Sequence, residues 1–175
     1  MSLIRNRKSI RLKGYDYSKQ GLYFITICCH NREHLFGEIL NGTFLPGEAG
    51  IIAQQYWQQI PIINRHVILH EFVVMPNHLH GILELVGVQE TEPIEPIETP
   101  KSHQFQKIIP RSIGSITRGF KASVTKWARN NMGIETVWQR NYYEHIIRND
   151  QSYIMISEYI INNPANWDKD RFYGR

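Results

Sequence analysis

The chain has 175 residues, of which 42% are hydrophobic and 21% are charged, and its formal net charge is +4 at pH 7. This length is enough for one substantial core, and we predict a single domain over residues 1–175. No apolar run approaches the length of a membrane span, and the N-terminal residues lack the apolar stretch of a secretory signal. The adjacent Cys28 and Cys29 are more typical of a core strand in a reducing compartment than of a disulfide framework. We therefore predict a soluble, cytoplasmic protein with no membrane association.

The first half of the chain predicts strands with one helix among them. Residues 22–29 combine aromatic and β-branched side chains, which predicts a buried strand. Asn41-Gly42 predicts a hairpin turn because both residue types tolerate positive φ. Apolar residues at helical spacing predict a helix at 48–60, and two further apolar segments predict strands at 66–74 and 78–85.

The second half predicts a loop followed by two helices. The segment 87–105 is rich in proline and glutamate and has weak periodicity, so we expect a mobile loop. Residues 150–167 predict a C-terminal helix, capped by Asp150 or Ser152 and ended near a proline. Strands interspersed with helices favour an α+β fold with a single antiparallel sheet. The helix predicted at 112–130 has one apolar face, made of Ile113, Ile116, Phe120, Val124 and Trp127.

Basic residues concentrate near the N-terminus and in the second half of the chain. No acidic residue occurs between Pro100 and Ile134, where several lysines and arginines fall. Such a composition suits a polyanionic partner, for example a nucleic acid. A solvated basic face has the same composition, so charge alone leaves both alternatives open.

Two histidines interrupt the apolar segment 71–85. Alternate side chains of a strand lie on the same face, so His78 and His80 point together. Two neighbouring imidazoles can bind one divalent cation through their ring nitrogens. The pair is also compatible with core histidines that are only hydrogen-bonded, and a metal site would need further ligands.

Tyr159 and Asn163 lie four residues apart in the predicted C-terminal helix and therefore share one helix face. The amide oxygen of Asn163 suits a hard cation, and the phenol of Tyr159 lies one turn away. The alternative is structural, because tyrosine often packs with one end in water and asparagine is common beside a helix-ending proline.

Five segments, taken together in this order, resemble one known family. They are GLYFITICCHNREHLFG, PNHLHGIL, GSITRGFKASVTKW, VWQRNYYEHIIRND and EYIINNP. The set resembles the single-tyrosine transposases of the HUH nuclease type, which carry a His-hydrophobic-His motif, and in particular the REP-associated tyrosine transposases. This resemblance implies a ferredoxin-like antiparallel sheet with helices packed on it.

The resemblance also implies a site and a reaction. His78, His80 and Asn163 would hold a divalent cation, Mg²⁺ or Mn²⁺, and Tyr159 would be the nucleophile. The implied protein is a metal-dependent single-stranded DNA endonuclease and strand transferase that acts near hairpins or palindromic repeats through a 5′-phosphotyrosine intermediate. Members of the family act as monomers or as homodimers, and both states remain open for this chain.

The candidate DNA contacts follow from the basic regions and from the WQRNYY segment. They are Arg5, Arg7, Lys8, Arg11, Arg118, Lys121 and Arg129 for phosphates, and Gln139, Arg140 and Asn141 for bases or backbone. Tyr142, Tyr143 and Tyr153 compete with Tyr159 for the role of nucleophile, although Tyr153 has a serine rather than an amide one turn later.

Two other functions remain open from the sequence. The chain could be a non-catalytic protein that binds structured single strands, for which loss of Tyr159 would not alter binding. It could also be a metal-dependent phosphodiesterase that uses activated water. A covalent protein–DNA bond distinguishes the transposase from both alternatives.

Overall fold

The computed structural model describes residues 16–87 and 109–173. The candidate DNA contacts Arg5, Arg7, Lys8 and Arg11 lie outside these residues, as does the predicted loop beyond Gly87. In chain order the elements are β1 (Gly21–Cys28), β2 (Gly37–Leu40), β3 (Thr43–Pro46), α1 (Glu48–Gln58), α2 (Ile60–Ile63), β4 (Val67–Met75), β5 (His78–Leu85), α3 (Ile113–Met132), β6 (Tyr143–Ile147) and α4 (Asp150–Asn162). Short 3-10 segments occupy His30–Arg32 and Pro164–Lys169.

Four antiparallel strands form the main sheet in the order β4-β5-β1-β6. The chain enters this sheet as β1-α1-β4-β5-α3-β6, which is the split βαβ order of ferredoxin-like folds. A separate hairpin of β2 and β3 precedes α1. The predicted α+β class and antiparallel sheet are confirmed. None of the described helices is long and apolar enough to cross a membrane.

Local sequence signals set the ends of these elements. Asn41 and Gly42 have φ of 51° and 74°, so the hairpin turn forms at the predicted dipeptide. Ser112 caps α3 by accepting a hydrogen bond from the backbone of Ser115. The predicted cap of α4, Asp150 or Ser152, was wrong. Asn149 caps this helix, because its side-chain oxygen accepts from the backbone N–H of Ser152 at 2.8 Å.

The two faces of the sheet bury different side chains. Tyr23, Ile25 and Ile27 of β1 belong to the main core, which α1 and α3 cover. The predicted apolar face of α3 is buried except at its end, where Ala128 replaces Trp127 as the fully buried residue. On the other face, Ile160 of α4 packs with residues of β5 and β6. Because strand side chains alternate, the sheet has a core face, which α1 and α3 cover, and an opposite face, the α4 face, which α4 covers.

Gly81 of β5 lies on the core face directly beneath a buried indole ring. A Cβ at this position would lie 2.6 Å from Cζ2 of Trp57 and 3.1 Å from Cβ of Phe72. We expect Gly81→Ala to lower the free energy of unfolding by about 1–3 kcal/mol, because the close-packed ring must move. Urea unfolding followed by tryptophan fluorescence measures this change.

Gly119→Ala provides the matched control, since in the described part of the chain the added methyl group has no neighbour within 4 Å beyond the adjoining backbone of its own helix. Gly119 lies inside α3, where alanine is the better helix former, so this variant should be more stable by up to about 1 kcal/mol. Equal stability of Gly81→Ala and the unaltered chain would contradict the close approach of Trp57 to β5.

Candidate functional site

His78 and His80 lie side by side on the α4 face of β5. They pair across the sheet with Cys28 and Thr26 of β1, and their ring centroids are 4.4 Å apart. Both side chains are completely buried. The strand therefore points both imidazoles into one site, as their spacing predicts.

Asn77 determines which nitrogen of His78 carries a proton. The amide nitrogen of Asn77 donates to the backbone carbonyl of Phe172 at 3.0 Å, so the amide oxygen faces Nδ1 of His78, 2.9 Å away. An amide oxygen only accepts, and Nδ1 must therefore be the donor. This leaves a lone pair on Nε2 of His78, a buried atom without a hydrogen-bond partner among the described residues.

His80 links the sheet to the C-terminal helix. Its Nδ1 lies 2.8 Å from the hydroxyl of Thr26, and its Nε2 lies 3.1 Å from the hydroxyl of Tyr159. When Nδ1 donates to Thr26, the lone pair of Nε2 faces the phenol. The same tautomer is the one that binds a metal ion through Nε2.

The environment of the two histidines keeps them neutral. Burial lowers the pKa of His78 to about 3 against the opposing charge of Asp170, and the positive charges of Arg171 and Arg32 add to the lowering. Burial, with help from His78 and Arg171, also holds the pKa of His80 well below its usual range. Both rings consequently keep a nitrogen lone pair at neutral pH, which is the form that ligates a cation.

Tyr159 projects from α4 with its ring partly exposed and its hydroxyl turned into the site. The hydroxyl donates to Oδ2 of Asp170 at 3.0 Å while it lies beside Nε2 of His80. Burial, followed by the negative charge of Asp170, raises the pKa of Tyr159 to about 12. Arg171 acts in the opposite direction but does not outweigh them, so this phenol stays protonated at neutral pH.

Asp170 is a site residue that the sequence did not reveal. The 3-10 segment after α4 turns the chain back, and Oδ2 of Asp170 accepts from both Tyr159 and the amide nitrogen of Asn163, the latter at 2.9 Å. Its Oδ1 accepts from the backbone N–H of Phe172. Helical spacing from Tyr159 could not indicate this carboxylate, because the α-helix has ended before it.

Three donor atoms converge here in a way that could hold a metal ion. One ligand atom from each of His78, His80 and Asp170 lies within 4.8 Å of the others. Asn163 adds a further oxygen, because its Oδ1 is buried and has no hydrogen-bond partner in the described part of the chain. Two unpartnered buried acceptors, Oδ1 of Asn163 and Nε2 of His78, are the arrangement that a bound cation would satisfy.

Two polar residues of α4, two and six positions before Tyr159, bind the sheet. Glu71 accepts hydrogen bonds from the hydroxyls of Tyr153 and Ser157, both at 3.1 Å. His70 lies 3.0 Å from the Tyr153 hydroxyl and 2.9 Å from Glu84. These contacts hold α4 against β4 and β5, and they engage the hydroxyl of Tyr153 away from the candidate metal ligands.

The predicted DNA contacts on α3 lie on the opposite side of the sheet from Tyr159. Arg118 is exposed, and Arg129 pairs with Glu135 at 2.7 Å. The ammonium of Lys121 donates to the backbone carbonyls of Gln139 and Arg140, at 2.6 and 3.2 Å. Gln139 is half-buried, whereas Arg140 and Asn141 are exposed. Their contact with DNA stays a prediction.

The sheet with its packed helices is similar to the fold of a solved transposase. A solved structure of a REP-associated tyrosine transposase bound to a REP hairpin matches 90% of this chain and 74% of its own, with a TM-score of 0.59 and 20% identity. A Haemophilus influenzae protein named "Putative REP-associated tyrosine transposase" is 24% identical over 150 residues, which are 86% of this chain and 73% of that protein. The resemblance predicted from the five sequence segments is confirmed.

The chain belongs to the same family as an uncharacterized protein of Haemophilus influenzae. The two are 49% identical over 170 residues, which span 97% of this chain and 94% of its relative. No family model matches the chain. The similarities together support a function of the transposase type.

Lys121 offers a test between a structural role and a DNA contact. We expect Lys121→Ala to lower the free energy of unfolding by about 1–3 kcal/mol, because two carbonyls lose their charged donor. Lys126→Ala removes the same charge from an exposed position of α3 and should leave stability almost unchanged. Thermal unfolding followed by circular dichroism compares them. Equal stability of the two variants, with weaker DNA binding only for Lys121→Ala, would contradict the structural role.

Proposed function

We propose that the chain is a metal-dependent single-stranded DNA endonuclease and strand transferase, in which Tyr159 attacks a phosphodiester next to a DNA hairpin. The observation that carries this proposal is the 3.1 Å distance between the Tyr159 hydroxyl and Nε2 of His80. It brings an oxygen nucleophile to the ligands of a candidate cation site. Tyr159 is 41% exposed, so a DNA strand can reach it.

The reaction needs a proton acceptor and a leaving group. Asp170 accepts the hydrogen bond of the phenol and takes its proton as the phenolate oxygen attacks phosphorus. A bond forms between the Tyr159 oxygen and phosphorus, and the bond from phosphorus to the 3′ oxygen breaks. The leaving 3′ oxygen takes up a proton from water. The products are a 5′-phosphotyrosine and a free 3′-hydroxyl, and the retained phosphoester permits rejoining of the strand.

His78, His80 and Asp170, with Oδ1 of Asn163, are the residues that would hold the cation. When bound, a divalent cation neutralises the charge of the scissile phosphate and favours the phenolate. A set of two imidazoles and two oxygens accepts Mn²⁺ or Mg²⁺. Asn77 and Thr26 engage the Nδ1 atoms of the two imidazoles, which leaves the Nε2 atoms as the ones that would bind the cation.

The likeness to solved and curated relatives supports the choice of substrate. The relative of known structure is bound to a REP hairpin. We carry this partner over to the chain as part of the proposal: a single strand that contains a hairpin or a palindromic repeat. Monomer and homodimer are both compatible with the site, since one chain supplies every residue named in the proposed reaction.

Metal binding is the first prediction of this proposal. Addition of Mn²⁺ should give a bound species that loses the electron paramagnetic resonance signal of the free ion. We expect His78→Ala and Asp170→Ala each to weaken Mn²⁺ binding by at least about ten-fold, because each removes a ligand. His30→Ala removes an exposed histidine just after β1 and should bind Mn²⁺ like the unaltered chain. Binding that survives in Asp170→Ala but not in His78→Ala would restrict Asp170 to the proton-acceptor role.

Formation of a covalent adduct is the second prediction. A hairpin oligonucleotide labelled 3′ of the cut should migrate with the protein on a denaturing gel in the presence of Mn²⁺. Tyr159→Phe should abolish this adduct, because the nucleophilic oxygen is removed while the ring remains. Tyr143→Phe and Tyr153→Phe test the competing tyrosines, and both should still form the adduct.

Other outcomes select the other functions. Cleavage without an adduct, unaffected by Tyr159→Phe, would identify activated water as the nucleophile. Tight binding of hairpins with no cleavage at any metal concentration would identify a non-catalytic binding protein. An adduct that persists in Tyr159→Phe and disappears in Tyr143→Phe would reassign the nucleophile.

A further inference from the structure

Two arginines stand beside the site on the same face as Tyr159. Arg32 ends the 3-10 segment after β1, and its guanidinium carbon lies 5.3 Å from the centre of the Phe172 ring. The guanidinium carbon of Arg171 lies 4.6 Å from the same centre. The ring of Phe172 is in turn 4.5 Å from that of His78 and 5.9 Å from that of His80. One aromatic ring therefore holds two positive charges next to the paired histidines.

These guanidinium groups have no anionic partner within the described residues. Asp170 is the carboxylate beside them, but both of its oxygens already accept hydrogen bonds from Tyr159, Asn163 and the backbone of Phe172. Nη1 of Arg32 is buried and has no hydrogen-bond partner in the described chain. A buried cationic donor without a partner is costly, and an anion bound at this position would satisfy it.

The backbone holds Arg32 in an unusual conformation. Asn31 and Arg32 have φ of 50° and 59°, which is the left-handed region. Arginine rarely adopts this region, and such residues cluster at functional sites, where the surrounding structure maintains them. The position of Arg171 is restrained through its neighbour Phe172. The Phe172 ring is buried, and the Phe172 carbonyl accepts a hydrogen bond from Asn77.

We propose that Arg32 and Arg171 form a phosphate clamp that holds the DNA strand on either side of the phosphate attacked by Tyr159. The planar guanidinium fork suits phosphate oxygens better than an ammonium does. The clamp rests on the proposed function. It provides positive charge on the α4 face, whereas the predicted phosphate contacts of α3 lie on the other side of the sheet.

DNA binding can be measured without turnover in the Tyr159→Phe chain. The probe is a fluorescent hairpin with single-stranded thymidine flanks, titrated at several salt concentrations and followed by anisotropy. Phosphate contacts do not depend on base sequence, so this probe is suitable even if the natural sequence differs. Arg32→Gln and Arg171→Gln should each weaken binding about ten-fold and reduce the slope of log K against log salt by about 0.7.

Arg65→Gln is the matched control, because this exposed arginine precedes β4 at the opposite end of the sheet from His78. It should retain the slope of the parent chain. Arg171→Lys keeps the charge but loses the fork, so it should restore the slope and only part of the affinity. Thermal unfolding checks that each variant is folded.

A second readout locates the contacts. Methylphosphonate substitution removes the charge of one phosphate at a time on either side of the cut. At a phosphate that one of these arginines contacts, the substitution should weaken DNA binding by the Tyr159→Phe parent chain. It should not weaken binding further in the variant that has glutamine in place of that arginine. Unchanged affinity and slope in folded Arg32→Gln and Arg171→Gln would overturn the clamp.

The clamp and the proposed reaction can fail separately. A reduced slope of log K against log salt in both glutamine variants, with no covalent adduct formed by the chain that retains Tyr159, would support the clamp and reject the transferase. An adduct that forms at the normal rate and affinity in both variants would support the transferase and reject the clamp. Absence of DNA binding by the Tyr159→Phe parent chain would reject the clamp as well.

Discussion

The antiparallel register between β1 and β5 is the constraint on which the site depends. It sets Thr26 opposite His80 and turns both imidazoles to the α4 face. A slip of one residue would turn the histidines into the core between the sheet and α1 and α3. The same register places Gly81 beneath Trp57, where the ring leaves no room for a Cβ. Packing on the core face therefore stabilises the register that orients the two histidines on the other face.

Asn77 extends this constraint to the C-terminal end of the chain. One amide fixes the tautomer of His78 and also binds the carbonyl of Phe172. The segment that carries Asp170, Arg171 and Phe172 is thereby attached to the residue that precedes β5. A change at Asn77 would disturb ligand orientation and the position of the carboxylate together, so its effect on activity should not be assigned to either one alone.

Burial and neighbouring charges set the protonation states of the site residues. Burial keeps the imidazoles neutral and able to bind a cation, and burial together with the charge of Asp170 favours the protonated form of Tyr159. Each group has a polar partner that holds it in place except Nε2 of His78, Oδ1 of Asn163 and Nη1 of Arg32, which are unsatisfied within the described residues. The first two suit a cation and the third an anion. A metal ion and a DNA phosphate would together complete the set.

Local sequence patterns were enough to predict most of the fold and part of the site. Period-two alternation determined that His78 and His80 share a face, the Asn41-Gly42 dipeptide determined the hairpin turn, and four-residue spacing put Tyr159 and Asn163 on one side of α4. These are properties of a strand, a turn and a helix, each decided within a few residues. Other contacts depend on the tertiary structure alone. Asp170 accepts a hydrogen bond from Tyr159, and Lys121 donates to backbone carbonyls. Arg32 and Arg171 both lie over the ring of Phe172. Those contacts join parts of the chain that no common periodicity relates, because turns and sheet pairing, rather than sequence spacing, set their distances.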